Sequence, residues 1–283
     1  MSCFNKAVLH MTQNDSAWVN QMFSREMGAV GPSGTGLPPV DHAQDAPATF
    51  NLYHYFSARA RDITPAAARD TAYVLYAPFS SDPEAANRCA SVLSPHERER
   101  SERFVTNELK SHFEQRRAFR RYCGALAIES TPSLSQVIFE ETENGRPYLR
   151  ERPDLWFSFS SCRSGFIGAW SATHGLGVDL EDGPVDTDVA DLAQMYFTDS
   201  EALTVSEGGP AQIRTFLRLW SLKEAALKSI GEGLPFGLDA FEFELDQSPR
   251  VVEAPGEHGG PEAFNAHLLD QANLCAALVL RVL

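Results

Sequence analysis

Strand and helix patterns alternate along this chain of 283 residues, and the order strand, helix, strand occurs twice. The strongest helical pattern covers residues 211–230 and ends at Gly231, a residue type that commonly follows the last turn of a helix. No heptad or short repeat interrupts the series. The alternation therefore predicts an α+β protein built from two similar halves.

The first seventy residues differ from the rest of the chain. Residues 28–47 are rich in Gly and Pro and show no apolar period, which is typical of a linker. We predict an N-terminal extension over residues 1–70, whose role the sequence leaves open. An N-terminal half over residues 71–168 and a C-terminal half over residues 169–283 follow it.

Local patterns predict the individual elements. Ser94, Pro95 and Glu97 form a capping box that begins one helix, and a longer helix follows to about residue 128. Further helices are predicted over residues 189–197, 199–207 and 211–230. Strands are predicted over residues 71–79, 136–140, 156–160, 166–171, 177–181, 241–245, 264–269 and 274–282.

The overall charge excludes several functions. The formal net charge is −14, and such a field repels nucleic acid, which argues against a DNA- or RNA-binding role. No apolar run approaches the ~18 residues of a membrane span, and residues 1–20 lack the features of a secretory signal. Five scattered cysteines without a CxxC pair predict reduced thiols in a cytoplasmic protein.

One segment reverses this acidic balance. Residues 98–121 hold eight basic and four acidic side chains. A basic surplus inside an acidic chain suggests binding of a small anionic ligand. A solvated helix face with paired charges is the other interpretation, and it is the commoner one for such runs.

Two short segments could carry chemistry. In the predicted strand over residues 177–181, Asp179 and Glu181 lie on the same face, and a divalent cation such as Mg²⁺ would relieve their repulsion. An exposed strand face is the simpler alternative. In the helix over residues 211–230, Glu224 and Lys228 lie four residues apart and could form an ordinary ion pair worth a few tenths of a kcal/mol.

Together, the two segments resemble the signature of the 4′-phosphopantetheinyl transferase superfamily. In that signature, (V/I)G(V/I)D is followed about forty residues later by (F/W)(S/C/T)xKExxxK, as in residues 176–179 and 220–228 of this chain. Glu181, the Ser94–Pro95 helix and the turn over residues 144–147 resemble the surfactin-synthetase-activating type. That resemblance covers roughly residues 71–283. It implies a monomer of two pseudo-symmetric halves, each a small, mostly antiparallel sheet packed on a long helix.

The resemblance implies a reaction. The 4′-phosphopantetheine arm of coenzyme A would be transferred to a serine of an apo acyl or peptidyl carrier protein, with Mg²⁺ as cofactor and 3′,5′-ADP as the second product. No nucleic acid or membrane would take part. The alternative is a catalytically idle homologue that binds coenzyme A or a carrier protein without transfer. Fatty-acid, polyketide, siderophore and nonribosomal peptide systems all remain open as sources of the acceptor.

The resemblance also implies roles for individual residues. Asp179, Glu181 and Glu224 would hold Mg²⁺, and Glu224 or a water beside it would accept the proton of the serine. Lys228 would bind the diphosphate and stabilise the leaving group. The coenzyme A contacts implied are Arg100, Arg117, Arg146, Ser160, Ser161, Lys223 and Lys228, with Arg116 and Arg120 as alternatives to Arg117.

Three positions depart from the family pattern or allow a second interpretation. Ser161 stands where the family usually has a histidine, and Arg163 is a candidate replacement. Glu97 stands where a lysine is common. Glu201 could lie near the metal, but its place in a predicted capping box explains it locally, so we rank it below the other acids.

Overall fold

A computed structural model of the chain describes residues 60–283 apart from 70, 129–132, 184, 186–187, 233–235 and 271–272, together with residues 52 and 56. The chain divides into two units, residues 1–49 and residues 50–283. All described residues belong to the second unit. The linker predicted over residues 28–47 lies outside the described residues.

The first half of the described unit is an antiparallel sheet covered by helices. Four strands pair in the order β1-β2-β6-β5. These are β1 (Arg61–Asp62), β2 (Tyr73–Pro78), β5 (Trp156–Ser161) and β6 (Gly165–Ser171). Between β2 and β5 lie the helices α1 (Pro83–Ser91), α2 (Pro95–Ser101) and α3 (Asn107–Ala127), and a hairpin of β3 (Phe139–Glu141) and β4 (Pro147–Leu149).

The second half repeats this plan with a smaller sheet. Three antiparallel strands pair in the order β10-β11-β7, beside a β8–β9 hairpin. The strands are β7 (His174–Asp182), β8 (Glu242–Leu245), β9 (Pro249–Glu253), β10 (Phe264–Leu268) and β11 (Leu274–Val282). The helices are α4 (Val189–Tyr196), α5 (Asp199–Ser206) and α6 (Gln212–Ile230). The predicted α+β class with antiparallel sheets and long helices is confirmed.

Side-chain caps fix where the functional helices begin and end. Ser94 and Glu97 form the predicted capping box of α2, and Thr106 caps α3. Gly231 follows α6 with φ of 82°, a left-handed conformation that glycine adopts without strain. The register of α3 and α6, and with it the direction of their charged side chains, is set by these local signals.

Each long helix packs on the sheet of its own half. Helix α3 buries Phe119 and Tyr122 among the residues of the first sheet, and α6 buries Leu222 and Leu227 against β7 and β11. A third apolar cluster joins the two sheets through residues such as Ile167 of β6, together with Val178 and Leu278 of the second half.

Strands β5 and β7 belong to different sheets but lie side by side, joined by side-chain hydrogen bonds. Trp156 Nε1 donates to the carbonyl oxygen of Leu176 at 2.7 Å. The amide of Val178 donates to Ser158 Oγ at 3.0 Å. We call this contact the β5–β7 seam. Because it lies where the halves meet, it brings the end of β5 next to the middle of β7.

Helix α6 approaches β7 very closely at Gly177. A Cβ atom at this position would overlap the carbonyl oxygen of Ala225 and would lie 2.8 Å from Lys228 Cβ. Gly177→Ala is therefore expected to lower the free energy of unfolding by about 3 kcal/mol, since helix and strand would have to separate. Urea denaturation measures this change.

Gly256→Ala is the matched control, because a Cβ there meets no described atom within 4 Å. We expect it to change the free energy of unfolding by less than about 0.5 kcal/mol. Equal urea midpoints for the two variants would contradict the close approach of α6 to β7.

Some local predictions differ from the structure. The strand predicted over residues 136–140 is shorter and later, because residues Leu134–Gln136 form a 3-10 turn before β3. Helix α1, which Asp82 caps, was not predicted. Strand β1 joins the first sheet although it precedes the boundary predicted at residue 70. Among the described residues, no helix combines the length and hydropathy needed to cross a bilayer.

Candidate active site

The centre of the candidate site is Asp179 on β7. The side chain lies under the β5–β7 seam, and the residue is 1% exposed. Its Oδ1 accepts hydrogen bonds from Lys228 Nζ at 2.7 Å and from Ser160 Oγ at 2.8 Å. Its Oδ2 is buried and has no hydrogen-bond partner among the described residues. A buried carboxylate oxygen without a donor is costly, which points to a missing positive partner.

Helix α6 supplies the other side of this centre. Glu224 and Lys228 lie one turn apart, with Lys228 Nζ 3.3 Å from Glu224 Oε2. The same ammonium donates to the carbonyl oxygen of Val178 at 3.2 Å and to Ser160 Oγ at 3.4 Å. Lys228 therefore connects Asp179 on the strand to Glu224 on the helix, which lies 45 residues later in the sequence.

Negative charge is in excess at this centre. Burial raises the pKa of Glu181 to about 7, and repulsion from Asp179 and Glu224 adds to the shift. Burial and the nearby Asp179 also raise the pKa of Glu224. The pKa of Lys228 is raised because attraction to Asp179 and Glu224 outweighs the opposing effect of burial. Three carboxylates thus share a single ammonium group.

The donor chemistry fits a hard divalent cation. Carboxylate oxygens are the ligands that Mg²⁺ prefers. The unpartnered Oδ2 of Asp179 and the raised pKa values of Glu181 and Glu224 are what buried carboxylates without enough positive charge beside them would show. In the part of the chain that the structure describes, no three acidic, histidine or cysteine side chains are already gathered around one metal position. Lys228 holds Oδ1 of Asp179 instead.

A basic cleft opens beside the carboxylates. Arg116 Nη1 donates to Ser161 Oγ at 3.4 Å. Ser161 directly follows Ser160, the serine that binds Asp179. Arg120 Cζ lies 5.0 Å from the ring centre of Phe159. The cleft has a volume of about 280 Å³. It is lined by Arg116, Phe119, Arg120, Phe159, Ser160, Ser161, Phe166 and Ile167.

Two more arginines extend this basic surface. The guanidinium groups of Arg100 and Arg117 lie 5.5 Å and 5.3 Å from the ring centre of Phe113. Burial and mutual repulsion lower the pKa of Arg116, and burial followed by repulsion from Arg117 lowers that of Arg120 to about 10. We call the set Arg100, Arg116, Arg117 and Arg120 the arginine band. Crowded like charges of this kind are typical of a site for an anion.

Arg146 and Arg163 are not among the residues that line the cleft. Arg146 Cζ lies 4.1 Å from the ring centre of Trp156, at the start of β5 rather than at the carboxylates. The backbone amide of Arg163 donates to Asp182 Oδ1 at 3.2 Å, and its Nε is 3.7 Å from the same oxygen. The arginine that contacts Ser161 at the cleft is Arg116.

Lys223 requires a correction. The sequence places it at a phosphate of coenzyme A, but the residue is 0% exposed. Its Nζ lies 2.5 Å from Glu201 Oε2 and donates to the carbonyl oxygens of Leu238 and Phe241 at 3.0 Å and 2.5 Å. An ammonium enclosed in this way cannot reach a ligand. Glu201 forms its predicted capping box and binds Lys223, away from Asp179.

Sequence reasoning missed the role of Glu97 and left the choice among the arginines open. Glu97 binds Arg121 at 2.6 Å and lies 3.6 Å from Arg117 Nε. Its acidic character, where the family pattern favours lysine, was the one available signal. The partners lie on α3, about twenty residues later, which local patterns do not connect.

Comparisons with known proteins agree with this geometry. The model of the 4′-phosphopantetheinyl transferase superfamily matches residues 175–279, which include α6 and most of β7 and β11. 4′-Phosphopantetheinyl transferase Sfp of Bacillus subtilis is 28% identical over 195 residues, covering 66% of this chain and 82% of that protein. 4′-Phosphopantetheinyl transferase ffp of Bacillus subtilis is 29% identical over 217 residues, covering 72% of this chain and 91% of that protein.

A third relative matches a shorter stretch. 4′-Phosphopantetheinyl transferase psf-1 of Bacillus pumilus is 29% identical over 140 residues. The match covers 49% of this chain and 59% of that protein, which is less than two thirds of its length.

Proposed function

We propose that this chain, a member of the 4′-phosphopantetheinyl transferase superfamily of the surfactin-synthetase-activating type, is a transferase that modifies carrier proteins. The acceptor is a serine of an apo acyl or peptidyl carrier protein, and the donor is coenzyme A. The products are the holo carrier protein and 3′,5′-ADP. We further propose that the enzyme acts as a cytoplasmic monomer, and its described cysteines, which are all unpaired, suit a reducing compartment.

One observation carries the proposal. Two consecutive residues of β5 contact the two halves of the site: Ser160 bonds to Asp179, and Ser161 bonds to Arg116. An acidic centre suited to a cation thus adjoins a basic cleft suited to phosphate. Coenzyme A carries a diphosphate and a 3′-phosphate in one molecule, so a site that joins both kinds of binding group supports it as the ligand.

The chain's own residues support each step of the transfer. The serine oxygen of the carrier forms a bond to the phosphorus next to pantetheine, and the bond from that phosphorus to the diphosphate bridging oxygen breaks. Glu224, or a water beside it, accepts the hydroxyl proton. Lys228 Nζ stabilises the charge that develops on the departing 3′,5′-ADP.

The metal sits with the acids in this proposal. Asp179, Glu181 and Glu224 would hold Mg²⁺, with the unpartnered Oδ2 of Asp179 as the first available oxygen. When bound, Mg²⁺ supplies positive charge that a diphosphate needs as a leaving group. The arginine band would hold the nucleotide phosphates, and Ser160 and Ser161 would line the path between the two regions.

The proposed function has a direct test. The purified protein is mixed with Mg²⁺, coenzyme A and an apo carrier protein, and the carrier is weighed by mass spectrometry. We expect the carrier to gain the phosphopantetheine arm. Binding of coenzyme A without any mass gain would support the idle homologue instead. If the protein neither binds coenzyme A nor modifies the carrier, both functions are excluded.

Metal removal provides a separate prediction. Treatment with EDTA is expected to abolish transfer, and added Mg²⁺ is expected to restore it, because the carboxylates then lack the charge that aligns the diphosphate. Coenzyme A binding, measured by calorimetry without metal, is expected to weaken but persist through the arginine band. Full transfer activity in excess EDTA would contradict the metal assignment.

A further inference from the structure

Glu97 is an acidic residue of α2 that contacts two arginines of α3. Its side chain is 15% exposed, and Oε2 accepts a hydrogen bond from the amide of Ser94 at 2.9 Å. Arg121 Nη2 donates to Oε2 at 2.6 Å, and Arg121 Nη1 donates to Oε1 at 3.3 Å. Arg117 Nε lies 3.6 Å from Oε1. One carboxylate thus joins the beginning of α2 to two arginines one turn apart on α3.

The two arginines contact Glu97 in different ways. Arg121 uses both terminal nitrogens, and the residue is 7% exposed. Arg117 makes a looser contact, because its nearest nitrogen, Nε, lies 3.6 Å from Oε1 of Glu97, beyond hydrogen-bonding distance. Phe113 supports the same guanidinium at 5.3 Å. Arg121 is therefore a structural partner, whereas Arg117 keeps donors for a ligand.

The charge around Arg117 explains why it needs this support. Burial lowers its pKa, the charge of Glu97 acts in the opposite direction, and repulsion from Arg100 and Arg121 lowers it further. Without Glu97, the neighbouring guanidinium groups would drive the side chain of Arg117 away from the arginine band, since repulsion between partly buried like charges is screened only weakly.

We propose that Glu97 is a positioning residue, which fixes Arg117 within the arginine band for contact with the phosphates of the nucleotide half of coenzyme A. This inference rests on the proposed function, because it assigns the band to the co-substrate of that reaction. Glu97 does not touch the ligand itself. Its effect should therefore appear in the affinity for coenzyme A and leave the chemical step unchanged.

Glu97→Gln tests this role. Glutamine also serves at this position of a capping box, so the substitution removes the charge and keeps the start of α2. We expect the KM for coenzyme A to rise about fivefold to tenfold, the size of effect expected when a charge-assisted contact is loosened. The kcat and the KM for the carrier protein are expected to change by less than about twofold.

Two further variants separate positioning from stability. Arg121→Gln removes the other arm of the same network, and we expect it to lower the Tm while leaving the KM for coenzyme A unchanged. In a background of Arg117→Gln, the Glu97→Gln change is expected to have no additional effect on KM, because the group it positions is gone. Calorimetric titration of all variants with coenzyme A gives the same comparison without depending on transfer.

An unchanged KM and Kd for coenzyme A in Glu97→Gln would overturn the inference. So would an equal rise in Arg121→Gln, because the effect would then be a general loss of structure. Absence of transfer by the unsubstituted protein counts against the proposed function instead, and the calorimetric comparison would still decide the role of Glu97.

Discussion

Replacement of Glu224 by glutamine is expected to lower the kcat for carrier-protein modification about a thousandfold or more. The reason is that Glu224 is proposed both to bind the metal and to accept the serine proton. Glutamine keeps the shape of the side chain but has no charge for a cation and no basic oxygen for the serine proton. Lys228 retains Asp179 as its partner at 2.7 Å, so the fold should persist. Single-turnover mass spectrometry of the carrier protein measures the rate.

Glu207→Gln is the control for this change. Glu207 is an exposed residue at the end of α5, and its loss of charge should leave kcat within about twofold of the unsubstituted value. Circular dichroism and the urea midpoint of Glu224→Gln show whether the variant is folded. A folded Glu224→Gln enzyme with a nearly unchanged rate would exclude Glu224 from the reaction.

Lys223→Met is expected to lower the free energy of unfolding by about 3 to 5 kcal/mol, since it leaves the buried carboxylate of Glu201 without its counter-charge. The carbonyl oxygens of Leu238 and Phe241 lose their donor in the same change. Such a loss is a large part of the 5 to 15 kcal/mol typical of a domain. Urea denaturation measures it directly.

The double variant Lys223→Met/Glu201→Gln tests whether the lost stability comes from the unpaired charge of Glu201. Removing both charges should recover part of the lost stability, because the remaining glutamine is neutral. The KM for coenzyme A is expected to stay within about twofold in the folded fraction of each variant. A stable Lys223→Met protein with a strongly raised KM would restore the phosphate contact that the sequence predicted and would refute the buried pair.

The elements that hold the site could be predicted from the sequence because their signals are local. The capping box at Ser94 and Glu97, and the glycine after α6, fix helix ends within a few residues. The alternation in β7 places Asp179 and Glu181 on one face without knowledge of the rest of the fold. These signals depend only on nearest neighbours along the chain, which is why the structure contains the predicted elements.

The environment of the lysines could not be predicted in this way. Lys223 and Lys228 belong to the same signature and both read as phosphate contacts. Only Lys228 faces the β5–β7 seam, whereas Lys223 faces Glu201 on α5 and the carbonyl groups before β8. Those partners are 15 to 22 residues away in sequence and belong to other elements. A single charged residue is buried or exposed according to such distant partners, and its own helix does not decide it.

The β5–β7 seam has a mechanical consequence. Beside the apolar cluster that joins the two sheets, the seam has hydrogen bonds from serine and tryptophan side chains instead of a continuous backbone ladder. A molecule bound at one end by Arg116 and at the other by Lys228 would span the boundary between the two halves. The sheets could then separate only after the molecule had dissociated, so its binding free energy would stabilise the contact between the halves.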